Sequence, residues 1–232
     1  HARARRTALR APQDRPATIF RMSAYKTIEA PAKGEIEIKK SRFIAQLAPV
    51  DTEDAALAFL EEVRAANRMA RHNVYAYVLR DGGWGPAGRA RYSDDGEPQK
   101  TSGLPTLDVI QRAGLTDVIC VTTRYFGGIL LGTGGLVRAY TQAAQEAIAS
   151  AHVVTISRCV DVTVTIDYPR YDQLVRIAAD CGAHVADTVY TDRVTLTLRM
   201  LDGTQQPLLE KISELTRGAA EASVSNPFDA AF

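Results

Sequence analysis

The 232 residues carry 46% hydrophobic and 24% charged side chains at a formal net charge of +1, the make-up of a globular chain long enough for one or two domains. No run approaches the roughly 18 apolar residues of a membrane span, and the first residues lack the apolar core of a secretory signal, so a cytoplasmic location is expected. Cys120, Cys159 and Cys181 form no CxxC pair and stand in apolar stretches, which argues against both a disulfide framework and zinc.

Residues 1–21 hold six arginines against one acid, Asp14, a net of +5, which leaves 22 basic and 26 acidic groups, net −4, for the rest. With a methionine at position 22, the segment reads as an upstream leader or expression remnant, or as a basic arm for nucleic acid. It is expected to pack little apolar surface against the body.

From Ile36 to Val50 the alternation reads as strand structure broken by the polar run Lys39–Arg42. Residues 51–70 read as a helix capped by Asp51 or Thr52, with Leu57, Leu60, Val63 and Ala66 on one face. His72 to Arg80 is a strand with Val74, Ala76 and Val78 on one side and Tyr75, Tyr77 and Leu79 on the other. A Gly/Pro-rich loop follows, then a helix over 101–114 with Pro105 in its first turn and Gly114 at its end. A largely buried strand over 117–124 leads through a glycine-rich stretch into a helix from Gly134 to about Ala151. Strands alternating with helices point to an α/β layer for this half.

The pattern restarts near Ser157. A strand over 159–168, a helix ended by Gly182, two strands joined by Thr191–Arg193, a helix over 205–218 and a last strand give the order β-α-β-β-α-β. This is the split, ferredoxin-like arrangement, and it predicts a four-stranded antiparallel sheet with two helices on one face. The expected division is 22–156 and 157–232, an α+β chain in all. The first part holds 15 basic and 15 acidic groups, the second 7 and 11, so an electropositive surface belongs to the first.

Arg124 to Tyr140, RYFGGILLGTGGLVRAY, contains Gly127, Gly128, Gly132, Gly134 and Gly135. It lacks the GK[ST] ending of a P-loop, and Val137 breaks the dinucleotide fingerprint begun by Gly132 and Gly134. A strand nevertheless runs through a glycine loop into a helix N-terminus, where free N–H groups and the dipole favour an anion. Arg138 opposes that dipole unless an anion compensates. The alternative is that the glycines serve close packing and positive φ, with Arg138 in solvent.

Both guanidinium groups, Arg124 and Arg138, are expected to converge on this anion surface, with Tyr125 and Phe126 offering stacking faces. Lys39, Lys40 and Arg42 are either solvated or part of the same patch. Asp94, Asp95 and Glu97 fall within four residues, but their spacing is not that of an EF-hand and Asp-Gly and Glu-Pro are turn chemistry. With His72 and Asn73 they form a possible polar site. No catalytic residue, metal or cofactor is expected.

KKSRFIA, RHNVYAY, SDDGEPQKTSGLPTLDVI and TRYFGGILLGTGGLVRAYT occur in this order and resemble the IMPACT/YigZ family over residues 23–232. Val74, where many relatives have Cys, argues against a catalytic thiol; Ser102 stands where Ala is usual. The resemblance implies a first domain like small-subunit ribosomal proteins and elongation factor G domain IV, and a second like domain V of that factor. Eukaryotic relatives act in translational control by binding the activator of an amino-acid-starvation kinase. The resemblance therefore implies a non-enzymatic, translation-linked protein that binds RNA or the ribosome. A protein-interaction module and a metal-assisted phosphate-ester hydrolase are the alternatives. No membrane partner is expected.

Overall fold

A computed structural model of the protein describes residues 24–80 and 89–232, so the expectations for residues 1–21 lie outside the described residues. Among those described, no helix is long and apolar enough to cross a membrane. The first half is a five-stranded sheet in the order β2 (Ala32–Ile38), β3 (Ser41–Pro49), β6 (Val118–Tyr125), β4 (His72–Leu79), β5 (Arg89–Ser93). Every pairing is antiparallel, which corrects the α/β layer expected from the alternation of elements. Strands and helices alternate in sequence, yet β6 is inserted between β3 and β4 and opposes both, so no two neighbouring strands run parallel. The strand β5 falls inside the stretch expected as loop. Its residues are mostly exposed and two of its five are arginines, so no apolar alternation marks it.

Alternation on β4 is as expected. Val74, Ala76 and Val78 join the core under α2 (Gly103–Arg112) and α3 (Thr133–Ala149), while Tyr77 and Leu79 pack with α1 (Glu53–Ala66) on the other face. The Thr52 side chain accepts from Ala55 N at 3.2 Å and caps α1. The buried stripe of that helix is Ala56, Leu60 and Val63, with Leu57 41% exposed. Leu60 and Val63 of the expected face are therefore buried, while Leu57 and Ala66 at its two edges are exposed and Ala56 completes the stripe.

The second half has the strand order β10 (Ala222–Val224), β7 (Val153–Ile166), β9 (Val194–Leu201), β8 (His184–Tyr190), all antiparallel. Helices α4 (Tyr171–Asp180) and α5 (Gln206–Thr216) bury Leu174, Ala178, Leu208 and Ile212 against one face of it, as the β-α-β-β-α-β order predicts. The other face carries cross-strand pairs, Thr165 with Thr195 at 2.8 Å and Asp161 with Arg199 at 2.9 and 3.1 Å.

Besides β5, two more strands were not legible in the sequence, β1 (Tyr25–Ile28) and β11 (Phe228–Ala231), and both pair with β7. At Ile156 the partners are Tyr25 on one edge and Ala231 on the other. The 14-residue β7 thus runs through the expected 156/157 boundary. Arg80 sits 3.8 Å over the Tyr25 ring and 3.6 Å from Asp229, linking the first sheet to the last strand.

Candidate functional site

Register brings the expected residues to one end of the first sheet. Arg42 pairs with Tyr125, and Phe43 and His72 flank Arg124 on either side. The β2–β3 turn, the end of β6 and the start of β4 therefore meet there, together with the segment 93–102.

Arg124, expected on an anion surface, is instead 7% exposed. Its Nη1 donates to Glu97 Oε1 at 2.6 Å, and the Tyr140 hydroxyl donates to the same oxygen at 2.8 Å. The rings of Phe43 and Phe126 lie 5.4 and 5.6 Å from its guanidinium carbon. A buried guanidinium demands a partner, and the acid expected in a polar site supplies it. Tyr125 is likewise engaged, its hydroxyl donating to Asn67 Oδ1 at 2.9 Å.

The remaining members of the SDDGEP turn hold backbone. Asp94 Oδ1 accepts from Ser102 N, Ser102 Oγ and Gly103 N at 3.1, 2.8 and 2.8 Å, and Oδ2 accepts from Lys100 N at 2.7 Å. It caps α2 from eight residues upstream, where the N-cap residue Ser102 makes no side-chain cap bond of its own. Asp95 accepts from Asn73 N at 2.6 Å and Arg64 Nη2 at 3.0 Å. The Asp95 carbonyl accepts from His72 Nδ1 at 2.8 Å, which fixes a proton on that nitrogen. Asn73 is buried and accepts from Thr123 Oγ1 at 2.8 Å. Among the described residues no group of three or more His, Cys, Asp or Glu is placed to hold a metal ion. Cys120 is fully buried and burial pushes its thiol up to about 12.

Burial opposes ionisation of Asp94, but the N–H groups of Lys100, Gly103 and Ser102 and the Ser102 hydroxyl outweigh it and hold the carboxyl below its ordinary 3.8. A lowered folded-state value means stability that is present above pH 3.8 and lost as the pH falls through the folded value. Asp94→Asn is therefore expected to flatten this part of the acid unfolding curve and to cost stability near neutrality, by about 0.5–2 kcal/mol, as for a lost helix cap. Urea unfolding at stepped pH checks both.

What stays open at this end is cationic and apolar. Lys39 and Lys40 form the two-residue turn between the paired Ile38 and Ser41, with φ of 48° and 65°. This hairpin geometry normally takes Asn or Gly, so two lysines there hold strained backbone, on the order of 1–3 kcal/mol each. Both are exposed without an ion-pair partner among the described residues. Gly127 packs backbone to backbone against Lys40 and Ser41, its N–H donating to Ser41 Oγ at 3.1 Å. Arg42 is held by Glu35 through two contacts, Nη2 to Oε2 at 3.0 Å being one; this pairing lowers the Glu35 carboxyl and raises the guanidinium.

Gly128 and Gly132 take positive φ, and Gly132 is the N-cap of α3. Gly134 and Gly135 lie in the first turn of α3, and Arg138 stands exposed in the second rather than in the first turn expected for it. Phe126, Ile129 and Leu130 project from this loop, Leu130 with 82% of its surface exposed. Sequence reasoning missed Asn67, Ser41, Thr123 and Tyr140. Only Tyr140 carried a signal, a hydroxyl on an otherwise apolar helix face that must find an acceptor.

Apart from Glu35, the arrangement lies within residues 39–148, which match the model of the Impact N-terminal domain; residues 164–219 match a domain of unknown function, DUF1949. An IMPACT family member from Thermus thermophilus is 39% identical over 184 residues, 78% of this chain and 96% of that protein. The IMPACT family member YigZ of Escherichia coli is 33% identical over 192 residues, 83% of this chain and 93% of that protein. A crystal structure described as a hypothetical protein is 32% identical, with 87% of this chain and 97% of that one covered at a TM-score of 0.57.

Proposed function

The chain belongs to the IMPACT family, and from that premise we propose that it is a translation-linked regulatory protein that binds RNA or ribosomal components without catalysing a reaction. The observation that carries this reading is the Lys39–Lys40 turn, two unpaired cations in left-handed backbone pinned beside Gly127. Strained backbone persists where the surroundings over-determine it, and it clusters at functional sites. Arg138 in the second turn of α3 extends the cationic surface, and the exposed Phe126 ring supplies a face for a splayed base. Arg124 is removed from the surface but holds Phe126 in place. The Asp94, Asp95 and Glu97 carboxylates all have internal partners, which counts against the hydrolase alternative. The likeness of the two halves to elongation factor G domains IV and V belongs to the same proposal; the strand order of the second half suits it.

Binding of labelled single-stranded RNA across a salt series tests the reading. Lys39→Ala with Lys40→Ala is expected to lower the slope of log affinity against log salt by about 1.4, at about 0.7 per lost phosphate contact. Phe126→Ala is expected to weaken binding by roughly 1–3 kcal/mol with the slope unchanged. An intact protein without RNA affinity, or a double variant with the original slope, overturns it. The exposed Ile129 and Leu130 favour the second reading, a protein-interaction module; there binding is insensitive to salt and is abolished by Leu130→Asp.

A further inference from the structure

A groove of about 650 Å³ runs along the outer side of the contact between α2 and α3, and none of its lining residues belongs to the loop surface described above. Its walls are two ridges at i, i+4 spacing, Leu104, Asp108 and Arg112 from α2 and Val137, Thr141 and Gln145 from α3. Rows at that spacing are the ridges by which helices interdigitate, so two packed helices leave a furrow into which the side-chain row of a third fits. Pro105, Val109, Ile148 and Ala149 make the floor apolar. Lys100 lies just before α2 and Arg112 at its end, and both are exposed without an ion-pair partner among the described residues.

We propose that the furrow between α2 and α3 is the docking site of an amphipathic helix of a partner protein, with an acidic residue at each end and an apolar stripe between. Charge complementarity selects this occupant. The ten residues of α2 span about 15 Å, so a partner helix lying along it needs about ten residues between the acids that meet Lys100 and Arg112. Within that length, apolar anchors at i, i+4 and i+7 face the floor. A basic residue near the middle of the partner helix meets Asp108. RNA is a poorer occupant of this surface, because the floor offers no exposed aromatic face for a base.

A fluorescein-labelled peptide of about fourteen residues, with leucines at i, i+4 and i+7, one central lysine and a glutamate at each end, is the probe, used with the full chain. Saturable binding is expected, weakened about tenfold or more by Val137→Asp, a change at an exposed position that leaves the core intact. Lys100→Glu with Arg112→Glu is expected to abolish binding, and a peptide ending in lysines is expected to restore it on that double variant. That rescue separates docking from misfolding. Equal binding of a peptide with the leucines scrambled, indifference to Val137→Asp, or absence of the charge-swap rescue overturns the proposal. A dimer of the intact protein that Val137→Asp dissociates also overturns it, in favour of a second copy, as does RNA binding that Val137→Asp weakens.

Discussion

Arg124→Ala is expected to destabilise the protein by about 3–5 kcal/mol, the range seen when one member of a buried ion pair is removed. The side chains of Arg124 and Glu97 retain only 8% and 4% of their exposure. Alanine leaves the Glu97 carboxylate buried with the Tyr140 hydroxyl still donating to it. That hydroxyl is itself held protonated, first by burial and then by Glu97, so it cannot neutralise the charge. Against a total stability typically of 5–15 kcal/mol, the loss is a large shift in a urea or thermal unfolding midpoint. Removing the acid as well, in Glu97→Gln with Arg124→Met, is expected to recover much of it, because the stranded charge is gone. An Arg124→Ala variant with full stability and lost RNA binding would return Arg124 to the anion surface.

Gly127→Ala is the second large effect. A Cβ built there meets the Lys40 carbonyl carbon at 2.0 Å, its oxygen at 2.1 Å and Ser41 N at 2.4 Å. All three are backbone atoms, so relief requires the whole β2–β3 turn to move. The cost is expected at or above the upper end of the roughly 1–3 kcal/mol of ordinary overpacking, and the RNA binding proposed for Lys39 and Lys40 is expected to fall with it. Gly128→Ala is the control. Its φ is 86° but nothing lies within 4 Å of an added Cβ, so it meets only the left-handed strain of about 1–2 kcal/mol. Equal unfolding midpoints for the two variants would show that the turn is not pinned by Gly127.

These two sites also show where sequence reading reached and where it stopped. Periodicity placed β4 and both of its faces, and cap and turn residues placed α1 and the β-α-β-β-α-β order, because those signals are local. The burial of Arg124 was not legible. It depends on Glu97 and Tyr140, 27 and 43 positions apart from the groups they meet, and no local pattern encodes a pairing at that range. The acids near position 95 read as a possible polar site because sequence shows charge but not the N–H groups it faces. Five glycines announced a constraint without saying which kind. Gly127 answers a contact, Gly128 and Gly132 a dihedral angle, and only coordinates tell these apart.

The strand β7 imposes an arithmetic on the molecule. Its 14 residues extend about 46 Å at roughly 3.3 Å each and carry both halves on one continuous pleat. Side chains alternate faces at every step, and α4, α5, β8, β9 and β10 all follow Ser157, so an insertion of one residue there would leave Val160, Val162, Val164 and Ile166 on their own core and turn that whole half over relative to the first. An insertion of two would restore the faces and merely lengthen the span. The distance between the loop surface of one half and the helices of the other can therefore change only in even steps, which makes the parity of this strand as binding a constraint as any residue on it.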